Sequence, residues 1–244
     1  MADRDVFEGL RLATAARIGL GRAGQALPTA PMLALQLAHA RARDAVAAAL
    51  DVEALQRAIS RPRIVVDSAA PDRLAYLQNP GLGRRLADDA PPLPRGEYDL
   101  VIVVADGLSA RAVQTHAPAV VAALYARLGD WRVAPVVVAK RARVAIGDPI
   151  GEAIGARAAV VLIGERPGLS AADSLGAYIT WNPAPGRRDS ERNCVSNIRT
   201  PGGMQAASAA DTIAWILREA RKLGASGVSL KLRHDPAAAL DQTR

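Results

Sequence analysis

Tyr98-Asp99-Leu100-Val101-Ile102-Val103-Val104-Ala105-Asp106-Gly107-Leu108-Ser109 is the stretch on which the fold turns. Leu100 to Val104 is apolar without alternation. A strand with one wet face alternates; a strand covered on both faces does not, so this run reads as a parallel strand between two layers. Asp106 to Ser109 then supplies turn and helix-capping chemistry. From Ser109 to Leu128, residues Val113, Val120, Ala123, Leu124 and Leu128 fall on one helical face.

The strand–turn–helix unit recurs outward from there. Ile64–Val66, Pro135–Val138, Val160–Ile163 and Gly227–Leu230 are further short apolar runs. Gln205 to Leu223 carries Ile213, Ile216, Leu217 and Ala220 at helical spacing and stops at Gly224. Such alternation predicts an α/β fold: a Rossmann-like, mostly parallel sheet with helices on both faces. The Pro/Gly-rich stretch 79–96 (NPGLGRRLADDAPPLPRG) reads as a connecting loop. Residues 1–60 have a different period, helical over Val6–Arg17 and Ala30–Ile59, with Thr29 as a cap and Pro31 at the first helical position. The chain therefore divides into an N-terminal helical segment, 1–60, and an α/β domain, 61–244.

Half of the 244 residues are apolar but only 3% are aromatic, so Ala, Val, Leu and Ile must fill the core. The net charge of +7 comes mostly from arginine, with lysine only at Lys140, Lys222 and Lys231. These charges cluster on no single helix and are not interleaved with aromatics, so a nucleic-acid partner is not expected. One cysteine, Cys194, excludes an internal disulfide and points to a reducing compartment. The opening MADRDVFEGLRLATAAR lacks a secretory apolar core, and no apolar run approaches the roughly 18 residues of a membrane span. The expectation is a cytoplasmic chain without a membrane partner, free or inside a proteinaceous compartment reached from the cytosol.

Four segments have shapes that carry ligands. Gly19-Leu20-Gly21-Arg22-Ala23-Gly24 has dinucleotide-loop spacing, but it follows a helical pattern where that motif needs a strand, and a tight turn between helices explains it better. Asp106-Gly107-Leu108-Ser109 and Gly164-Glu165-Arg166-Pro167-Gly168-Leu169 both leave strands, where α/β proteins bind ligands. Arg192-Asn193-Cys194-Val195-Ser196-Asn197-Ile198 holds the cysteine. His39, His116 and His234 are dispersed, and there is no zinc-type cluster, nucleophile elbow or Walker loop. With no complete catalytic set, the chain suits a binding or partner subunit better than the alternative, a stand-alone nucleotide-dependent α/β oxidoreductase.

The strings RIGLGRAGQALPT, SRPRIVVDSAAPDRLAYLQNPGLGRRL, YDLVIVVADGLSARAV, ARVAIGDPIGEAIGARAAVVLIGERPGLSAADSLGAYITWNP and RNCVSNIRTPGGM resemble the ethanolamine ammonia-lyase small-subunit family, in order over most of residues 10–232. The resemblance implies an adenosylcobalamin-dependent lyase that converts ethanolamine to acetaldehyde and ammonia. It also implies a catalytic large subunit, a separate barrel chain that holds the substrate, in a hetero-oligomer of several two-subunit units. Through the same resemblance, 1–60 becomes a large-subunit contact and 61–244 a cobalamin-binding domain. The family's cofactor contacts carry over to Val144, Glu165 and Cys194. No D-x-H-x-x-G motif is present, in keeping with a family that binds the cofactor base-on without a protein axial ligand.

Overall fold

The computed structural model describes residues 6–14 and 16–230. Six strands, β1 (Arg63–Asp67), β2 (Tyr98–Ala105), β3 (Val136–Lys140), β4 (Ala156–Gly164), β5 (Leu175–Trp181) and β6 (Arg192–Ile198), form one sheet in the order β1-β3-β2-β4-β5-β6. The pairings among β1, β3, β2 and β4 are parallel, whereas β4–β5 and β5–β6 are antiparallel. The fold is thus α/β as expected, but the sheet is mixed. Buried on both faces, β2 explains the continuous apolar run that announced it.

Among the described residues there are seven α-helices: α1 (Glu8–Ala13), α2 (Thr29–Ala47), α3 (Val52–Ala58), α4 (Arg73–Gln78), α5 (Ala110–Tyr125), α6 (Gly147–Ile154) and α7 (Ala206–Leu223). α3, α5 and α7 cover one face of the sheet, packing Leu55, Val113, Val120, Ile213 and Leu217 against Leu100, Ile102, Val160 and Ile179. The other face packs Val101, Val103, Val137 and Val161 against Ile146 and, on α6, Ile150 and Ile154. β2 feeds α5 and its neighbour β3 feeds α6, so adjacent strands send their chains to opposite faces. That arrangement opens a crevice at the carboxyl ends of the central strands.

Several local expectations need correction. Gly227–Leu230 is not a strand: Gly227–Ser229 makes a single 3-10 turn with Gly227 at φ +73°, a path no strand takes. It braces the β5–β6 pair instead, since Ser226 Oγ accepts from Trp181 N–H at 2.8 Å and donates to Glu191 O at 2.5 Å. The single helix expected over 30–59 is two, because Asp51 accepts from Ala54 N–H at 2.9 Å and starts α3 afresh. Thr29 is the first helical residue of α2, not its cap, which is Pro28. Within 79–96, Leu82–Arg84 forms a 3-10 turn. His234 lies outside the described residues.

Candidate functional site

The chain leaves β2, β3 and β4 at the same edge of the sheet, and these exits build the site. After β2, Gly107 takes φ +56°, and a Cβ there would come within 2.3 Å of Gly164 O. A Cβ on Gly164 would lie 2.1 Å from Ser109 O, so the two turns interlock through paired glycines. Leu108 N–H donates to Gly164 O at 2.9 Å across the join. Ser109 caps α5, accepting from Ala112 N–H at 3.2 Å. Asp106, expected to help cap α5, is instead buried and accepts from Ala142 N–H at 3.0 Å. Burial pushes its carboxyl up; the Ala142 and Arg141 N–H groups and the Arg73 charge pull against that shift.

Val144 opens a 3-10 turn, Val144–Ile146, after β3, and its side chain is half-buried. Glu165 is the first residue beyond β4. Its Oε1 accepts from Ser196 Oγ at 2.6 Å, and its Oε2 accepts from Asn197 N–H at 3.3 Å and from Ser174 Oγ. Asn197 sits at φ +58°, a conformation asparagine tolerates better than most side chains. A Cβ on neighbouring Gly176 would come within 2.9 Å of Glu165 Oε1, so the glycine makes room for the carboxylate. Cys194 is exposed on β6, facing its cross-strand partner Tyr178 on β5.

Two hollows bring these residues together. One, of about 440 Å³, is lined by Val144, Glu165, Gly107, Arg166 and Tyr178 among others. The other, of about 320 Å³, is lined by Val144, Cys194, Arg84, Asp189 and Tyr178 among others. Arg143, Val144 and Tyr178 belong to both, so one groove runs from the Glu165 loop to the Cys194 strand. The three residues carried over from the family resemblance thus share a surface although 21 and 29 positions separate them in sequence.

Although Cys194 is exposed as a whole, partial desolvation of its sulfur pushes the thiol up and the Glu165 charge adds to the shift, while the neighbouring Tyr178 hydroxyl works the other way. The net shift is upward, so the group is a thiol at neutral pH, and no imidazole or cation is among its perturbing neighbours. The Tyr178 hydroxyl is itself pushed up to about 12, chiefly by burial. Among the described residues no three His, Cys, Asp or Glu side chains converge to hold a metal ion. Arg192, the floor of the smaller hollow, is buried in a two-pronged pair with Asp148 at 2.7 and 2.6 Å and donates to Thr180 Oγ1 at 2.8 Å. This pair joins β6 to α6 and holds the groove's base rigid.

Residue-by-residue reading missed Tyr178, Arg143 and Tyr76. The alternation in Leu175–Trp181 is the signal that finds Tyr178; nothing local marks the other two. Gly19–Gly24, with its dinucleotide spacing, lies between α1 and α2, away from any strand-to-helix turn. No helix among the described residues is long and apolar enough to cross a membrane.

The family described as ethanolamine ammonia-lyase light chain (EutC) matches residues 4–231. The ethanolamine ammonia-lyase small subunit of Xanthomonas campestris pv. campestris is 51% identical over 241 residues, covering 93% of this chain and 88% of the relative. That of Azotobacter vinelandii is 48% identical over 242 residues, covering 94% and 89%, and that of Ralstonia nicotianae is 48% identical over 238, covering 92% and 87%. With its whole α/β sheet and the groove at its edge inside the matched span, this chain belongs to the ethanolamine ammonia-lyase small-subunit family.

Proposed function

We propose that this chain binds one side of adenosylcobalamin through the Val144–Glu165–Cys194 groove and presents it to a catalytic large subunit that carries the ethanolamine site. The observation that carries the reading is the convergence of those three residues on one continuous groove at the carboxyl edge of the sheet.

The groove's chemistry suits a corrinoid, a broad macrocycle edged with amide arms. Glu165 has acceptor capacity for an amide N–H beyond the three donors it already holds. Val144 offers an apolar contact, and Cys194 a small neutral one. Neither hollow encloses a ligand of that size, so a second protein surface must cover the rest. Bound adenosylcobalamin would supply the radical chemistry for converting ethanolamine to acetaldehyde and ammonia. In this reading Val144, Glu165 and Cys194 would hold and orient the cofactor, and the substrate chemistry would fall to the large subunit. The helical segment 1–60 faces the large subunit in this reading, and the active assembly contains several two-subunit units.

The test is reconstitution. Ethanolamine deamination with added adenosylcobalamin should require both subunits, and corrinoid absorbance should co-elute with the pair. Turnover by this chain alone, or full turnover and cofactor retention by the large subunit alone, overturns the proposal.

A further inference from the structure

Arg143 is a cation that has no anionic partner among the described residues. Its N–H donates to Gly83 O at 2.7 Å, and a Cβ on Gly83 would come within 2.9 Å of Arg143 Cγ, so the glycine clears a path for the arginine stem. Its guanidinium lies 4.4 Å from the ring centroid of Tyr76. Tyr76 is fully buried and donates to Ala142 O at 3.1 Å, a rigid support. Packing, not an ion pair, therefore sets where this charge sits. Among the described residues nothing accepts a hydrogen bond from its side chain, and its buried Nε has no partner.

Arg84 stands next to it, on the 3-10 turn that contains Gly83. Its side chain is exposed and makes no hydrogen bond or ion pair among the described residues. Both arginines line the hollow of about 320 Å³ together with Val144 and Cys194. The other charged groups there do not neutralise them: Arg192 is taken by Asp148, and the exposed Asp189 lies 3.5 Å from Arg192. Two guanidinium groups without partners on one hollow are the donor type that phosphate oxygens accept from.

We infer that Arg143 and Arg84 form an anion subsite for the phosphodiester in the nucleotide arm of the corrinoid, an assignment that rests on the cofactor role proposed above. Dissociation constants are measured spectrophotometrically on the two-subunit complex for cobalamin and for cobinamide, which lacks that arm. Arg143→Ala should weaken cobalamin binding by about 10- to 100-fold and leave cobinamide within about twofold. Arg84→Ala, at an exposed and unpaired position, should act in the same direction without lowering the unfolding temperature, and Arg143→Lys should recover part of the loss. Equal losses for both corrinoids, or undiminished preference for cobalamin in both alanine variants, overturns the subsite while the cofactor role stands. A wild-type complex that binds neither corrinoid overturns both.

Discussion

The Ser196 hydroxyl donates to Glu165 Oε1 at 2.6 Å, joining residues 31 positions apart. With Ser174 Oγ and Asn197 N–H on the other oxygen, Glu165 ties the loop leaving β4 to the start of β5 and the end of β6. An ionised carboxylate offers about four lone-pair sites, so three of them are committed within the chain. Glu165 therefore shapes the groove as well as lining it, and its replacement must be judged by stability and ligand affinity together.

The interlocked turns make a prediction about stability. Gly164→Ala places a methyl 2.1 Å from Ser109 O, a main-chain atom that cannot move aside without disturbing the α5 cap. The variant should lose at least about 1–3 kcal/mol. Chemical denaturation checks this. Wild-type stability for Gly164→Ala would show that the two turns are not in contact.

Tyr76 and Tyr178 predict an alkaline weak point. Burial is the main cause that pushes both phenols up to about 12 from 10.0. A group whose folded pKa is raised contributes stability that is complete below its unfolded pKa, so this contribution is present below pH 10 and lost as the pH climbs toward 12. Phenolate absorbance followed beside circular dichroism should show these two tyrosines ionising late, with loss of fold over that interval. Tyr76→Phe should soften the decline. Full ionisation of all four tyrosines near pH 10 with the fold intact would contradict the burial of these rings.

The legibility of the chain follows burial. β2 declared itself because both of its faces are covered, and α5 and α7 because each presents a long apolar stripe to the sheet. β6 was unreadable because exposed Cys194, Ser196 and Asn197 interrupt its buried positions. α6 is written with Gly147, Pro149 and Gly151, poor helix formers; Cβ atoms on its two glycines would strike Val161 and Pro183, so close approach to the sheet outweighs helix propensity. Local reading marked the Asp106, Glu165 and Cys194 segments as candidates, but Val144 and the joining of Val144, Glu165 and Cys194 into one cofactor site came only through family resemblance. Local spacing says nothing of an arginine stacked on a tyrosine 67 positions earlier, because tertiary packing alone creates that pair.

Cys194 separates a packing contact from a nucleophile. Its raised thiol pKa and its tyrosine neighbour predict that Cys194→Ser keeps most of the turnover of the reconstituted enzyme. Cys194→Trp should exclude the cofactor by overfilling the smaller hollow, at about 1–3 kcal/mol or more. Turnover at saturating cofactor is the measurement. A Ser variant that binds cobalamin normally and is inactive would show that the thiol does chemistry.

The most direct test is the cobalamin dissociation constant of the two-subunit complex carrying Glu165→Ala, measured beside its unfolding temperature and its KM for ethanolamine. Losing a charge-assisted hydrogen bond costs about 1.5–3 kcal/mol, roughly 10- to 150-fold in affinity. The account predicts a loss of that size for cobalamin, a smaller change in the KM for ethanolamine, and a complex that remains assembled. An unchanged cobalamin dissociation constant in the assembled complex would contradict the assignment of this groove to the cofactor.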